Sequence, residues 1–243
     1  MARIVRSVHL WGREKLSCFE VTPDGSATER ERVVLLHGGG PADSKEPSLA
    51  LAEDFAALGF HVIGLDFMGS GRSSGPWSEM TLNRRQDQAA SLIDARVPAG
   101  SPLILIGFSM SGQTAADLVG RFGDRVQRIA LCAPGVYART VRDTPFGDDA
   151  FSDLVFNRPE LWPDSPALEV LATFHGRTLL VLPGHDEAVP PGMAGLIERS
   201  VRSNPRSSTL VIDGAGHLLD HWLAGHPEDR KSVTDGLLND IRP

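Results

Sequence analysis

Short runs of apolar residues recur along the chain, and polar or glycine-containing segments separate them. Apolar runs of about four to eight residues are typical of strands that are covered on both faces of a sheet. On this pattern we predict eight strands, at residues 4–11, 16–21, 33–36, 60–65, 103–106, 126–132, 177–182 and 208–212.

Between these strands, apolar residues recur at the spacing of one helical face. Helices are predicted at residues 47–58, 81–95, 193–202 and 228–241, with a further helix from Gln113. Residues 22–32 are polar and contain Pro23-Asp24-Gly25, which predicts a loop. Strands that alternate with helices indicate an α/β fold with a doubly wound, mostly parallel sheet.

One segment, residues 137–176, breaks this alternation. It carries several phenylalanine and leucine residues as well as Trp162. The segment is too long for a simple loop and too apolar to be solvated. We therefore predict a single domain, in which residues 1–136 and 177–243 form the core and residues 137–176 form an inserted helical cap.

Composition and charge narrow the class of protein. Of the 243 residues, 41% are hydrophobic and 23% are charged, as in soluble globular proteins. The formal net charge of −7, with no cluster of Lys and Arg, predicts no nucleic-acid partner and no membrane partner. No apolar run is long enough to span a bilayer, and the first residues lack the apolar core of a signal peptide.

The two cysteines bear on the cellular compartment. Cys18 and Cys132 each lie in apolar, strand-like sequence, and neither has the spacing of a metal ligand. We predict two buried thiols in a reducing compartment, and therefore a cytoplasmic protein; a disulfide is the alternative. No cluster of His, Cys and Asp has zinc-site spacing, so no metal is required.

The residues after the fifth predicted strand carry the first sign of chemistry. There the chain turns sharply around Ser109 into a helix, with Gly107 before the serine and Ser111 and Gly112 after it. This is the pattern of a nucleophile elbow, Gly-x-Ser-x-Gly, whose small residues avoid clashes around a strained serine. Ser111 replaces the last glycine, which we interpret as a tolerated exchange of small residues. A serine that only caps the helix would give a similar pattern.

Polar residues also follow three other predicted strands. His37 and three glycines follow the third strand, Asp186 follows the seventh after a short turn, and His217 follows the eighth. Ligand sites of parallel sheets lie at the carboxyl ends of the strands, so these residues are expected to converge with Ser109.

Five motifs carry a resemblance to a known family: His37-Gly38-Gly39, Asp66-x-x-Gly69-x-Gly71-x-Ser73, the turn around Ser109, Asp186-Glu-Ala-Val-Pro190 and Gly214-Ala-Gly-His217. With them, the chain from about residue 33 onward resembles the α/β-hydrolase superfamily. It is most similar to small-cap bacterial carboxylesterases of the cinnamoyl/feruloyl-esterase and serine-aminopeptidase-like type. The order serine, aspartate, histidine is the order of that fold.

The resemblance implies a catalytic triad. Ser109 is the expected nucleophile and His217 the base, because a glycine-rich loop after the last strand brings an imidazole towards the serine. Asp186 begins the family's acid motif, and Glu187 is the alternative acid. We expect Asp213 to be an end-of-strand residue. The other histidines considered as bases are His37, His185, His221 and His226.

The expected oxyanion hole uses the backbone N–H groups of Met110, just after the nucleophile, and of Gly39. Gly38 and Gly40 remain alternatives to Gly39. We interpret Asp66, with Gly69, Gly71 and Ser73, as structural residues that fix neighbouring loops. The residues proposed to line a substrate pocket are Trp77, Phe151 and Trp162.

The sequence therefore predicts a serine hydrolase that cleaves a small carboxylic ester or thioester through an acyl-enzyme, without a cofactor. The same triad also serves thioesterases, acyltransferases and C–C bond hydrolases of biosynthetic pathways. A ligand-binding protein of this fold without catalytic activity is a third hypothesis. The oligomeric state is not encoded in any pattern that we recognise.

Overall fold

The computed structural model describes residues 2–23 and 31–239. Over these ranges, eight strands form one sheet. The strands are β1 (Arg3–Trp11), β2 (Glu14–Thr22), β3 (Arg32–Leu36), β4 (His61–Leu65), β5 (Leu103–Phe108), β6 (Val126–Cys132), β7 (Arg177–His185) and β8 (Ser207–Gly216). All eight predicted strands are confirmed, and β7 and β8 continue three and four residues further than predicted, to His185 and Gly216.

The strand order is β1-β2-β4-β3-β5-β6-β7-β8. β2 is antiparallel to both β1 and β4, and every other neighbouring pair is parallel, so the predicted mostly parallel sheet is confirmed. β5 and β6 end level with each other, because Phe108 pairs with Cys132; Cys132 pairs with Val181 on β7, which continues to His185. Residues that follow these strands therefore start from one edge of the sheet.

Helices surround the sheet. They are α1 (Leu49–Ala57), α2 (Leu82–Arg96), α3 (Ser111–Phe122), α4 (Asp149–Ser152), α5 (Pro166–Thr173), α6 (Pro191–Arg202), α7 (Leu219–Gly225) and α8 (Pro227–Leu238). Short 3₁₀ turns lie at Glu46–Ser48, Trp77–Glu79, Gly123–Arg125, Arg139–Val141 and Pro159–Asp164, and one π turn lies at Asp153–Asn157.

Both faces of the central strands β3 to β7 are largely buried, which explains why these strands appear in the sequence as continuous apolar runs, whereas β1 is largely exposed. On β3, Val34 and Leu36 pack into one apolar layer, which α2, α3, α5 and α6 complete. Val33 and Leu35 pack into the other layer, which α1, α7 and α8 complete. The sheet is thus doubly wound, as predicted.

Most predicted helices are found within a few residues of their expected bounds, but α7 was not predicted. It is only seven residues long, and its apolar residues Leu219 and Leu223 form too short a pattern to indicate a helix. The central part of the predicted loop, residues 24–30, and the end of the predicted last helix, residues 240–241, lie outside the described residues.

The segment predicted as a cap, residues 137–176, contains α4, α5 and three of the short turns. Within it, α5 packs against α3 and α6 of the core, and its residues Leu168 and Leu171 are buried. The division into a core and a cap at residues 137 and 176 stays a prediction.

Asp66 anchors the loops beside the site, as the sequence predicted. It is fully buried, and its carboxylate accepts the backbone N–H groups of Lys45 at 2.8 Å and Arg72 at 2.9 Å. The buried Lys45 ammonium lies 2.6 Å from the same carboxylate and 2.8 Å from the Ser17 hydroxyl. This ion pair was not predicted, because its members are distant in sequence.

Cys18 and Cys132 are both buried and free, on β2 and β6. Burial raises the pKa of the Cys18 thiol to about 11, and it raises the pKa of the fully buried Cys132 thiol as well. Within the described part of the chain, no helix combines the length and the apolar character that crossing a membrane requires.

We predict that Asp66→Asn lowers the free energy of unfolding by about 3 kcal/mol, because it removes the nearer carboxylate of the buried Lys45 ammonium, at 2.6 Å, and leaves only that of Glu46, at 3.6 Å. Urea unfolding followed by circular dichroism measures the change. The control is Asp94→Asn, whose carboxylate forms an exposed pair with Arg121 at 3.4 Å and should cost less than about 1 kcal/mol. Equal losses in the two variants would contradict the interpretation.

We also predict that neither thiol reacts rapidly with a disulfide reagent such as dithionitrobenzoate in the native protein at pH 8. A raised pKa keeps the thiol protonated, and the thiolate is the reactive form. Reaction of Cys18 should accelerate only as the pH approaches 11, while unfolding in guanidinium should release both thiols. Fast reaction of one thiol in the native protein would be the contrary result.

Candidate active site

Three predicted site residues lie just beyond the carboxyl ends of parallel strands. Ser109 follows β5, Asp186 follows β7 and His217 follows β8. β6 lies between β5 and β7, and β8 lies next to β7, so the three residues leave the same edge of the sheet. The turn at residues 37–40 follows β3, the other neighbour of β5, and reaches this edge as well.

Ser109 occupies a strained turn between β5 and α3, with a backbone φ of 50°. This left-handed conformation is unfavourable for a residue with a side chain and persists only where neighbours enforce it. The Ser109 N–H donates to the Cys132 carbonyl at 2.8 Å, and the Ser109 carbonyl accepts the Gly135 N–H at 2.9 Å. The end of β6 and the loop after it therefore hold the turn.

Two glycines leave the space that this turn requires. A Cβ atom at Gly107 would lie 2.3 Å from the backbone oxygen of Ser111, and one at Gly112 would lie 2.6 Å from the Pro134 side chain. Contacts this short do not occur in folded proteins, so both positions need glycine. Gly112, one place later than the usual pattern, meets the steric requirement on the helix side.

Ser111 does more than fill a small space. It is fully buried, and its hydroxyl donates to the His37 carbonyl at 2.6 Å. The Arg85 guanidinium Nη2 donates to the Ser111 hydroxyl at 2.7 Å and to the His37 carbonyl, also at 2.7 Å. Our interpretation of Ser111 as a simple exchange of small residues was therefore incomplete. No sequence pattern signals these contacts, because the partners are 26 and 74 positions away.

The side chains of Ser109, His217 and Asp186 form a continuous hydrogen-bonded chain. Ser109 Oγ lies 2.8 Å from His217 Nε2. His217 Nδ1 lies 3.0 Å and 3.1 Å from the two carboxylate oxygens of Asp186. A carboxylate at Nδ1 keeps the proton there, and Nε2 is then free to accept the hydroxyl proton of the serine.

Asp186 rather than Glu187 contacts His217. The turn after β7 fixes its carboxylate, because Oδ1 also accepts the N–H groups of Ala188 at 2.9 Å and Val189 at 3.0 Å. In the described ranges no hydrogen bond joins Glu187 to His217. Asp213 lies within β8 and is exposed.

The other histidines considered as bases have surroundings unlike those of His217. His37 is buried, and its Nε2 accepts the Phe67 N–H at 3.0 Å. Burial holds the pKa of His37 well below its usual range, so this ring is neutral. His226 stacks on the Trp222 ring at a centroid distance of 3.9 Å. The other two histidines that we considered as bases, His185 and His221, are exposed.

The turn after β3 lies against the residue that follows the elbow. A Cβ atom at Gly39 would come within 2.5 Å of the Met110 side chain. The Trp77 indole N–H donates to the Gly39 carbonyl at 2.8 Å, and the Gly40 N–H donates to Asp43 at 2.8 Å. Among the residues that the structure describes, the N–H groups of Gly39 and Met110 have no hydrogen-bond acceptor.

A cavity of about 360 Å³ opens beside Ser109 and His217. Trp77 and Phe151, two of the three predicted pocket residues, line it. Further lining residues are Asp43, Tyr137, Phe146, Phe156 and Asp220. A second cavity of about 80 Å³ also borders Ser109 and His217.

Trp162, the third predicted pocket residue, lies elsewhere. Its indole N–H donates to the Val155 carbonyl at 2.8 Å, and its ring packs close to Gly192. It does not line either cavity at Ser109. An apolar aromatic residue in a helical segment gives no signal that distinguishes a packing role from a pocket role.

The lining includes two carboxylates that the sequence analysis did not identify. Asp220 is nearly buried, and its carboxylate accepts the His221 N–H at 3.0 Å. Burial raises the pKa of Asp220, and the nearby Asp43 adds to the effect. Over the described ranges, no group of three or more His, Cys, Asp or Glu side chains is arranged to hold a metal ion.

A family model described as the alpha/beta hydrolase fold matches residues 32–175, more than half of the chain. The chain belongs to the α/β-hydrolase family. The matched range includes the elbow at Ser109 and ends before Asp186 and His217. The family resemblance carried by the sequence motifs is therefore confirmed.

Solved structures of other α/β hydrolases match nearly the whole chain. Est1E from Butyrivibrio proteoclasticus, solved with ferulic acid bound, has a TM-score of 0.71 at 16% identity, covering 94% of this chain and 97% of its own. The thioesterase domain from the curacin biosynthetic pathway has a TM-score of 0.69 at 15% identity, covering 96% and 99%. CarC, a serine hydrolase involved in carbazole degradation, has a TM-score of 0.68 at 20% identity, covering 96% and 97%.

We predict that Asp186→Asn slows acylation of Ser109 by about 10⁴-fold, because an amide favours the wrong tautomer of His217. The measurement is the second-order rate constant for labelling by a fluorophosphonate probe. Glu187→Gln, the matched control in the next position, should label within about twofold of the wild type, because no hydrogen bond joins Glu187 to the histidine in the described ranges. A larger effect at Glu187 than at Asp186 would reverse the assignment of the acid.

Proposed function

We propose that this chain is a serine hydrolase that cleaves a carboxylic ester or thioester through an acyl-enzyme. The observation that carries the proposal is the hydrogen-bonded chain from Ser109 through His217 to Asp186. A serine hydroxyl is a weak nucleophile at neutral pH, and a base within 2.8 Å of it supplies the activation that the reaction needs.

In the first half of the reaction, Ser109 Oγ attacks the substrate carbonyl carbon while His217 Nε2 takes the hydroxyl proton. Asp186 stabilises the imidazolium that forms. His217 then returns the proton to the leaving alcohol or thiol as the C–O or C–S bond breaks, which leaves an acyl-enzyme. Water then attacks the acyl carbon while His217 Nε2 takes a proton from it. His217 returns that proton to Ser109 Oγ as the bond between the acyl carbon and Oγ breaks, which releases the acid and restores Ser109.

The negative charge that develops on the carbonyl oxygen needs preorganised donors, each worth about 3–4 kcal/mol. We propose the N–H groups of Gly39 and Met110. Their support is that both lack an acceptor within the described chain and that the two residues lie against each other. Gly40 is the weaker alternative, since its N–H already donates to Asp43.

The two cavities beside Ser109 suggest where the two parts of a substrate, on either side of the scissile bond, could bind. We propose that the larger cavity, with Trp77 and Phe151 in its wall, holds the bulkier part of the substrate, and that the smaller cavity holds the other part. A volume of about 360 Å³ is that of a small-molecule site. We also propose a cytoplasmic location, which the two buried free thiols favour.

Esters and thioesters share the carbonyl that Ser109 would attack and differ in the leaving group. A panel of aryl esters, acyl thioesters and 1,3-diketones identifies the preferred bond. Transfer of the acyl group to an alcohol instead of water would indicate an acyltransferase. Tight binding of a ligand with no acylation of Ser109 would favour the binding protein considered in the sequence analysis.

We predict that Ser109→Ala abolishes both the turnover of short aryl esters and labelling by a fluorophosphonate, since it removes the attacking oxygen. Mass spectrometry of the labelled protein measures the stoichiometry. The control is Ser152→Ala, which removes another hydroxyl from the wall of the same cavity and should leave both activities within about threefold. Stoichiometric labelling of the Ser109 variant would rule out the assignment.

A further inference from the structure

Arg85 is a buried cation that has no role in the reaction steps proposed above. It lies on α2, and only 1% of its surface is exposed. Its acceptors are a carbonyl and a hydroxyl, and no carboxylate contacts it in the part of the chain that the structure describes. Burial of an arginine without a counter-ion is costly, so its surroundings require an explanation.

One nitrogen of Arg85 joins the backbone of His37 to the side chain of Ser111, two residues from separate stretches of the chain. Nη2 donates to the His37 carbonyl and to the Ser111 hydroxyl, both at 2.7 Å. The Ser111 hydroxyl in turn donates to the same His37 carbonyl at 2.6 Å. The guanidinium carbon lies 3.8 Å from the centre of the Phe67 ring, which fixes the plane of the group from one side.

The group is charged at neutral pH. Burial lowers the pKa of Arg85 to about 9, with Tyr137 and Asp43 opposing the change. The pKa therefore stays above 7, and the hydrogen bonds to His37 and Ser111 are charge-assisted, which makes them stronger than bonds between neutral groups.

These two stretches of backbone are the ones that carry the proposed oxyanion donors. His37 begins the turn that contains Gly39, and Ser111 directly follows Met110. We propose that Arg85 is a positioning residue, which holds the Gly39 and Met110 N–H groups at the spacing that the tetrahedral intermediate requires. This inference rests on the proposed serine hydrolase function.

The physical basis is preorganisation. Donors stabilise a transition state only if they already point at the position where charge develops, and small displacements are costly. Each donor here belongs to a different loop, so packing within one loop cannot fix the distance between them. The buried Arg85 nitrogen binds both loops and supports the direct hydrogen bond from Ser111 to His37, so these contacts together set that distance, and the positive charge favours the oxyanion as well.

The test compares Arg85→Met and Ser111→Ala with Arg84→Met, a control on the same helix whose side chain is half-buried and donates to the Glu79 carbonyl. Active-site titration with a fluorophosphonate normalises every rate to competent protein. The measurements are kcat and KM for an aryl ester, and the inhibition constant of a boronic acid that forms a tetrahedral adduct with Ser109.

We expect kcat to fall about tenfold in Ser111→Ala and about 100-fold in Arg85→Met, with KM within about twofold of the wild type. The inhibition constant of the boronic acid should rise by the same factors as kcat/KM falls. The double variant should lose little more than Arg85→Met alone, because both residues hold one carbonyl. Arg84→Met should match the wild type.

A merely structural role predicts a different result: a lower melting temperature and fewer competent sites, but an unchanged kcat for each titrated site. That result in Arg85→Met would overturn the proposal. If Arg85→Met does not fold, an unchanged kcat in Ser111→Ala overturns it. Wild-type protein that is not acylated contradicts the serine hydrolase itself, whereas an acylated wild type with unchanged variants contradicts only the role of Arg85.

Discussion

Ser109 is held at a backbone φ of 50° by hydrogen bonds to Cys132 and Gly135. A residue in this conformation relaxes unless the surrounding structure prevents it. Here the restraint comes from β6 and the loop after it, which lie beside β5 in parallel register. The position of the serine oxygen is therefore a property of the sheet, and His217 and Asp186 meet it because β7 and β8 end at the same edge.

A sheet that is apolar on both faces provides the rigidity that this arrangement needs, but it cannot by itself orient loops. Polar groups buried beneath the loops do so. Asp66 and Lys45 form a buried pair that also binds the backbone of two loops. Arg85 and Ser111 join the turn after β3 to the start of α3. Burying these charges costs free energy, but both the Asp66–Lys45 pair and Arg85 fix the position of nearby backbone.

The sequence predicted the features that arise from local residue patterns or from patterns that recur along the chain. The central strands β3 to β7 are visible as apolar runs because both of their faces are largely covered, and the site could be placed because ligands of parallel sheets lie at strand ends. Asp186 was preferred over Glu187 from a motif, and the geometry brings Asp186 to His217. The sequence did not predict features that depend on partners far away in the chain. These are the ion pair of Lys45, the contacts of Ser111, and the placement of Trp162 away from the cavity.

The departure from the usual elbow pattern has a physical explanation in these contacts. Within the elbow, the positions of Gly107 and Gly112 are too crowded for a side chain. Position 111 admits a small side chain, but a buried hydroxyl without partners would be destabilising. The His37 carbonyl accepts from the Ser111 hydroxyl, and Arg85 donates to it. Arg85, in turn, would lose one of its two acceptors if position 111 were glycine, so Ser111 and Arg85 depend on each other.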